Sequence, residues 1–165
     1  MIELRELAVE DGHDVFEMVK ELGAPGNGFE NSLFSGSFEE FQGKLINNTK
    51  MSKAIDLEPQ YVPQTIYWLY IDGRPVGYGK LRHYLNENLL NGGGHIGYAI
   101  RPTERQKGYA TTLLKELLTK AKEKGLDQVL VTCYESNVAS RKVIEANNGQ
   151  LEKVKDEKCF FWIAL

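Results

Sequence analysis

The chain has 165 residues, 42% of them hydrophobic and 26% charged, with a formal net charge of −3. That length suits a single domain, residues 1–165, with a core of its own. The basic residues gather into no run, so charge offers no footing for a nucleic-acid partner, and no apolar stretch approaches the length of a membrane span.

Met1-Ile2-Glu3-Leu4-Arg5-Glu6 is not a signal peptide, and the expected location is the cytoplasm. Two cysteines, Cys133 and Cys159, lie in apolar strand-like runs without metal-ligand spacing. They read as small core residues in a reducing compartment, with a catalytic thiol at Cys133 the lesser reading. No metal site is expected.

Ile2 to Leu7 alternates apolar and charged residues, as a half-buried strand does. Asp11 is the expected N-cap of a first helix carrying Val15, Phe16, Val19 and Leu22, with Gly23 as its stop. Ala24 to Phe34 reads as a loop. Phe38, Phe41, Leu45 and Ile46 mark a second short helix, and Asn47 to Pro63 is expected to be mostly irregular. Thr65 to Ile71 is β-branched and aromatic, Asp72-Gly73 turns the chain, and Val76 to Tyr84 returns as the second arm of a hairpin. A loop ends in Gly92-Gly93-Gly94, and His95 to Ile100 is the next strand.

A helix then buries Leu113, Leu114, Leu117, Leu118 and Ala121, and Gly125 ends it. Gln128 to Cys133 is a nearly continuous apolar strand. A helix from about Asn137 to Asn147 turns Val143 and Ile144 inward, and two strands, Gln150 to Val154 and Cys159 to Leu165, close the chain. The order β-α-α-β-β-β-α-β-α-β-β makes an α/β fold, a mixed α+β sheet with helices packed on it.

The stretch that organises this order is Arg105-Gln106-Lys107-Gly108-Tyr109-Ala110, between a strand and a helix start. The first N–H groups of a helix have no internal partner, and the helix dipole places partial positive charge there. Gly108 lets an anion approach the backbone, and Arg105 and Lys107 add positive charge at the same mouth. Arg-Gln-Lys-Gly-Tyr-Ala resembles the Arg/Gln-x-x-Gly-x-Gly/Ala signature of the GNAT superfamily of acyl-CoA N-acyltransferases. Ile100-Arg101-Pro102 before it resembles the family's hydrophobic-x-Pro strand end, and Asn137-Val138-Ala139-Ser140 its Asn-x-x-Ser/Ala helix start. The resemblance runs from about Val76 to Leu165, and the element order is also that of the GNAT-like acyl-CoA N-acyltransferase fold.

The resemblance implies a transferase moving an acetyl group from acetyl-CoA to a primary amine of a small molecule or peptide, by direct attack in a ternary complex. The alternative is a non-catalytic acyl-CoA-binding sensor module. The family places the pyrophosphate of coenzyme A on the amides of Gln106, Lys107, Gly108, Tyr109 and Ala110, with Arg105 and Lys107 assisting. It lays the pantetheine arm along Tyr98, Ala99 and Ile100, between strands that run parallel and then splay, with an N–H near Tyr98 for the thioester oxygen. Asn137 would contact CoA, and Ser140 lies one turn further on.

Many members carry a Tyr acid on the helix after this Asn. That place falls here at about Val143 or Ile144, so Tyr134 is the substitute candidate. A protonated amine has no lone pair, so a base is needed. His95, at the start of the strand that holds the thioester, is the best histidine candidate, followed by His83. The acceptor pocket is expected among Ala24 to Pro63 and Tyr84 to Gly94. Phe29, Phe34, Tyr61 and Trp68 are candidate walls, and Glu30, Glu39 and Asp56 candidate attractors of a cationic amine. Acetyl-CoA as co-substrate and an amine acceptor are the expected partners, with no nucleic acid and no membrane; a homodimer is the candidate assembly.

Overall fold

The structure, a computed structural model, describes residues 1–25 and 29–165. The loop expected over Ala24 to Phe34 therefore falls partly on residues 26–28, outside the described ones. In chain order the elements are β1 (Ile2–Glu6), α1 (His13–Leu22), α2 (Phe38–Ser52), β2 (Gln64–Ile71) and β3 (Arg74–Arg82). After them come β4 (Ile96–Ile100), α3 (Tyr109–Glu123), β5 (Gln128–Tyr134), α4 (Val138–Ala146), β6 (Gln150–Lys155) and β7 (Lys158–Ala164). The order agrees with the sequence reading.

Three local details differ. Gly12, not Asp11, is the N-cap of α1. The Asp11 carboxylate instead accepts from the Ala8 N–H and the Trp68 indole N–H, both at 2.8 Å. Helix α2 runs to Ser52, well past Ile46, with Asn48 still buried beneath it; the Asn48 and Thr49 side chains donate to the carbonyls one turn back, those of Lys44 and Leu45. The glycine-rich loop contains a π-helical turn, Leu89–Gly93.

The strands form two antiparallel sheets rather than one. The first has the order β1-β2-β3-β4 and the second β5-β7-β6. Phe16, Phe41, Leu45, Trp68 and Tyr78 pack α1 and α2 on one face of the first sheet. On its other face, α3 brings Leu113, Leu114 and Leu117 against Val76, Leu81 and Ile100, and this core continues to Val129, Val131 and Phe161 of the second sheet.

Strand β3 sorts its two faces by alternation: Gly77, Gly79 and Leu81 face α3, while Tyr78, Lys80 and Arg82 face the other way. A Cβ on Gly79 would stand 2.8 Å from Leu117, and one on Gly77 2.9 Å from Ile100. The two glycines thus let α3 lie directly on the strand.

Between β4 and β5 the ladder is a single pinch. The His95 N–H donates to the Leu130 carbonyl at 2.8 Å, and the Leu130 N–H donates to His95 Nδ1 at 2.9 Å. The imidazole takes the donor that a further strand pair would need, so pairing stops there. Gly94, at φ 66°, makes the approach possible: a Cβ would lie 2.5 Å from the Leu130 carbonyl oxygen. Beyond the pinch the two strands part.

Candidate active site

A cleft of about 770 Å³ fills the gap between β4 and β5 and extends under the start of α3. Tyr98, Ala99 and Ile100 line it from β4, Arg105, Gln106, Gly108, Tyr109 and Ala110 from the loop and α3, and Tyr134, Asn137, Ser140 and Val143 from β5 and α4. Both strands leave the pinch toward this cleft, since the C-terminal ends of both line it.

At the start of α3 the backbone is arranged as an anion cradle. Gln106 has φ 63° and Gly108 φ 81°, so the chain turns left-handed twice before the helix begins. No side chain caps α3. Among the described residues, the N–H groups of Gln106 to Thr111 find no protein acceptor, and the first paired amide is that of Thr112, on the Gly108 carbonyl at 3.3 Å. A Cβ on Gly108 would meet nothing within 4 Å, so this backbone faces open space. Successive unpaired amides at a positive helix end favour a phosphate.

The loop is fastened from behind. The Glu21 carboxylate accepts from Arg101 Nε at 3.1 Å and Nη2 at 3.0 Å, and from the N–H and hydroxyl of Thr103 at 2.9 and 2.8 Å. Burial raises the Glu21 pKa, but the Thr103 and Arg101 donors outweigh it and the net direction is downward. Arg105 donates through Nε to the Ile100 carbonyl at 2.9 Å, which leaves its two Nη groups at the cleft. Lys107 points elsewhere. Its Nζ pairs with Glu104 at 2.9 Å, and it is not among the lining side chains.

On β4, Arg101 N–H bonds Val76 and Arg82 N–H bonds the His95 carbonyl, which fixes the phase of the ladder. Residues 97 and 99 turn their main-chain groups to β3, and Tyr98 and Ile100 turn theirs to the cleft. The expectation that Ala99 offers main-chain groups to a ligand is therefore not met; Ala99 lines the cleft without them. The Ile100 carbonyl is already occupied by Arg105. What the edge presents is the Tyr98 N–H and carbonyl and the Ile100 N–H.

The Tyr98 hydroxyl lies 2.8 Å from Ser140 Oγ, tying β4 to the first turn of α4. Burial pushes the Tyr98 phenol up to about 12. Asn137 is the N-cap of α4, its Oδ1 accepting from the Ser140 N–H at 3.1 Å. Beside them, burial pushes the Cys133 thiol up to about 11. Asn31 was missed by the sequence reading. Its Nδ2 donates to the Val19 and Gly23 carbonyls at 3.1 and 2.7 Å, while its buried Oδ1, in the cleft wall, has no partner among the described residues.

His95 does not face the thioester position. It is buried at the pinch, its Nδ1 occupied by Leu130, its ring 6.5 Å from that of Trp162 and outside the cleft lining. Burial, and secondarily Arg82, pushes its pKa down to about 4. His83 pairs with the Thr65 hydroxyl at 2.8 Å, and His13 stacks on Phe38. None of the three histidines, all among the described residues, lines the cleft. Of the candidate acceptor walls, Phe29 lines it, Trp68 is core, and Phe34 and Tyr61 are exposed.

A second cavity of about 250 Å³ opens on the same gap, sharing Phe29 and Tyr134 with the cleft. Glu30, Lys80, Arg82, Gly92, Thr132 and Lys158 are among its walls. Among the described residues no group of three or more His, Cys, Asp or Glu could hold a metal ion, and no helix is long and apolar enough to cross a membrane.

The model of the acetyltransferase (GNAT) family matches residues 33–149. The chain belongs to the GNAT acetyltransferase family. Its activity class is therefore that of an acyltransferase, and the sensor alternative is not favoured. A comparison with curated protein sequences gives no match. Solved structures share the fold. A RimL ribosomal L7/L12 alpha-N-protein acetyltransferase in complex with coenzyme A is 17% identical, with a TM-score of 0.75 over 99% of this chain and 94% of that one. The N-acetyltransferase PseH of Campylobacter jejuni, in complex with acetyl coenzyme A, is 13% identical, with a TM-score of 0.68 over 99% of both chains. The PaiA N-acetyltransferase of Thermoplasma acidophilum, in complex with coenzyme A, is 17% identical, with a TM-score of 0.66 over 100% of this chain and 99% of that one. The parting of β4 and β5 agrees with the splay that the resemblance implies, and it is built here by His95 and Gly94.

Proposed function

We propose that this protein transfers an acetyl group from acetyl-CoA to a primary amine, by direct attack within a ternary complex. The observation that carries the reading is the run of unclaimed amides from Gln106 to Thr111, at the head of a cleft between two unpaired strand edges. Solved relatives of the same fold hold CoA or acetyl-CoA, which supports that donor here. The donor supplies an acyl group activated by a thiol leaving group.

In this reading the amides of Gln106 to Ala110 hold the pyrophosphate, with the Arg105 Nη groups beside them. The Tyr98 carbonyl and the Ile100 N–H hold the pantetheine arm like an added strand. The Asn137 side-chain nitrogen, which has no acceptor among the described residues, reaches a CoA oxygen. The Tyr98 N–H donates to the thioester oxygen as charge develops there, a preorganised contribution of roughly 3 kcal/mol.

The amine nitrogen bonds to the carbonyl carbon, and the carbon–sulfur bond breaks with its electron pair on sulfur. Glu30 is the carboxylate on the acceptor side, and it receives the ammonium proton through water. Tyr134, which borders both cavities, gives the sulfur a proton and regains one through water from the second proton that the nitrogen loses as the amide forms. Burial pushes the Cys133 thiol up to about 11 and so disfavours the nucleophilic thiolate at neutral pH, which supports direct transfer over an acyl relay through this residue. Acetyl-CoA as donor and a thiol pair, Cys133 and Cys159, directly opposite on neighbouring strands both fit the cytoplasm.

Calorimetry with CoA, followed by thiol release from acetyl-CoA with a panel of amines, tests the reading. Micromolar CoA binding and intersecting initial-velocity lines are expected. Absence of CoA binding overturns it, and parallel lines overturn direct transfer.

A further inference from the structure

Lys80 and Arg82, two residues apart on β3, project onto the face turned away from α3 and reach the second cavity. Lys80 is 4% exposed, a rare burial for an amine. Its Nζ donates to the main-chain carbonyl of Glu30 and lies 5.2 Å from the centre of the Phe29 ring. Arg82 Nη1 donates to the carbonyls of Gly93 and Gly94 at 3.2 and 3.3 Å. Lys158 comes in from β7, its Nζ 5.6 Å from the centre of the Tyr134 ring and 4.0 Å from where a Cβ on Gly92 would stand.

Three cations thus line a cavity that holds one carboxylate, Glu30, among the described residues. Among the described residues none of the three makes an ion pair within 4 Å there. This is a local excess of positive charge in a chain whose net charge is −3. Among the described residues Glu30 is the counter-charge that acts on Lys80 and Arg82, and it offsets their removal from water only in part, since their hydrogen-bond partners are neutral carbonyls. Burial, then repulsion from Arg82, pushes Lys80 down to about 8, the expected response of an amine held beside another cation. An anion in this cavity would offset the imbalance. Because Phe29 and Tyr134 belong to both cavities, such an anion would be on the same ligand as the attacking amine.

We propose that the second cavity is an acid-recognition subsite: the acceptor carries, besides its amine, a carboxylate or phosphate held by Lys80, Arg82 and Lys158, while its ammonium faces Glu30. The assignment rests on the acetyl-transfer reading and adds the acceptor class to it. It follows that polyamines are poor acceptors, since a second ammonium would enter a cationic cavity. The same cations favour the neutral, attacking form of the substrate amine.

The test is kcat/KM for acetyl transfer with matched acceptors over a series of chain lengths: ω-amino acids, their amides, the corresponding aminophosphonates and the corresponding diamines. The acid of the best length is expected to exceed its amide roughly ten- to hundredfold, the effect of one hydrogen bond to a charged group. Carboxylate against phosphonate separates the two acid chemistries. Lys80→Met and, independently, Lys158→Gln should each reduce the acid-to-amide ratio while CoA affinity by calorimetry stays within twofold. Lys158 is only partly buried, so its variant keeps the test open if Lys80→Met fails to fold. Equal rates for acid and amide at every length, with CoA still bound and thiol released, overturn the subsite and leave acetyl transfer standing. Diamines outpacing the acids would also overturn it. Loss of CoA binding in the unmutated protein would remove both readings.

Discussion

At Gly108 two demands meet in one residue. The backbone lies at φ 81°, where a side chain is strained, and its outward side is open. Gly108→Glu adds bulk and negative charge beside the unclaimed amides. CoA affinity by calorimetry is expected to fall more than tenfold while the circular dichroism spectrum stays native; unchanged affinity in a folded variant would contradict the cradle. Tyr134→Phe removes only a hydroxyl. Thiolates leave with modest help, so kcat is expected to fall roughly tenfold with CoA affinity unchanged. An equal kcat would take Tyr134 out of the proton path. At this scale the sequence was legible where a residue type is tied to a backbone need. Gly108 stands in a turn between a strand and a helix start, and Asn137 at the place of the helix start that the GNAT resemblance implies. Lys80 and Arg82 were passed over as the polar positions of an ordinary strand. Their alternation with Gly77, Gly79 and Leu81 does show that they share a face with Tyr78, but only the tertiary fold shows that this face is covered. His95 failed as a base candidate for a related reason: position along a strand does not say whether a ring points into a cleft or replaces a ladder bond.

Elements meet most closely where α3 lies on β3. Gly79→Ala would press a methyl 2.8 Å from Leu117, and the helix must move or the leucine must leave its rotamer. Overpacking of this kind costs about 1–3 kcal/mol. Because the head of α3 carries the anion cradle, the same displacement should weaken CoA binding. Denaturant midpoint and CoA affinity are expected to drop together, whereas a drop in stability alone would uncouple helix seating from the site. Element order was readable from periodicity almost throughout. The length of α2 was not: its second half is polar by composition, and the residue it buries there, Asn48, is one that no hydrophobic pattern announces.

For the whole molecule, the joint between the two sheets depends on a neutral imidazole. His95 Nδ1 accepts from the Leu130 N–H, and a protonated ring cannot. With its pKa lowered from 6.5 to about 4, His95 favours folding fully above pH 6.5, and this contribution is lost as pH falls from 6.5 toward 4. The loss amounts to about 3 kcal/mol at most. Urea midpoints between pH 7 and pH 4 are expected to fall more steeply for the unmutated protein than for His95→Gln; parallel slopes would exclude His95 as the source. The fold class followed from the order of elements, but the division into two sheets did not, because nothing in the local pattern of Ile96 to Ile100 or Gln128 to Tyr134 says where pairing ends.

That division has a price of its own. Tyr98 and its neighbours form a raw strand border inside the molecule, with hydrogen-bonding groups turned toward a gap rather than toward another strand. Borders of this kind recruit whatever extended chain arrives, and natural sheets usually shield them. If the acyl donor lies along this border as proposed, the shield is the substrate arm itself, so filling the gap and guarding against unwanted self-assembly would become a single event, and a cell short of that donor would leave this protein at its most adhesive.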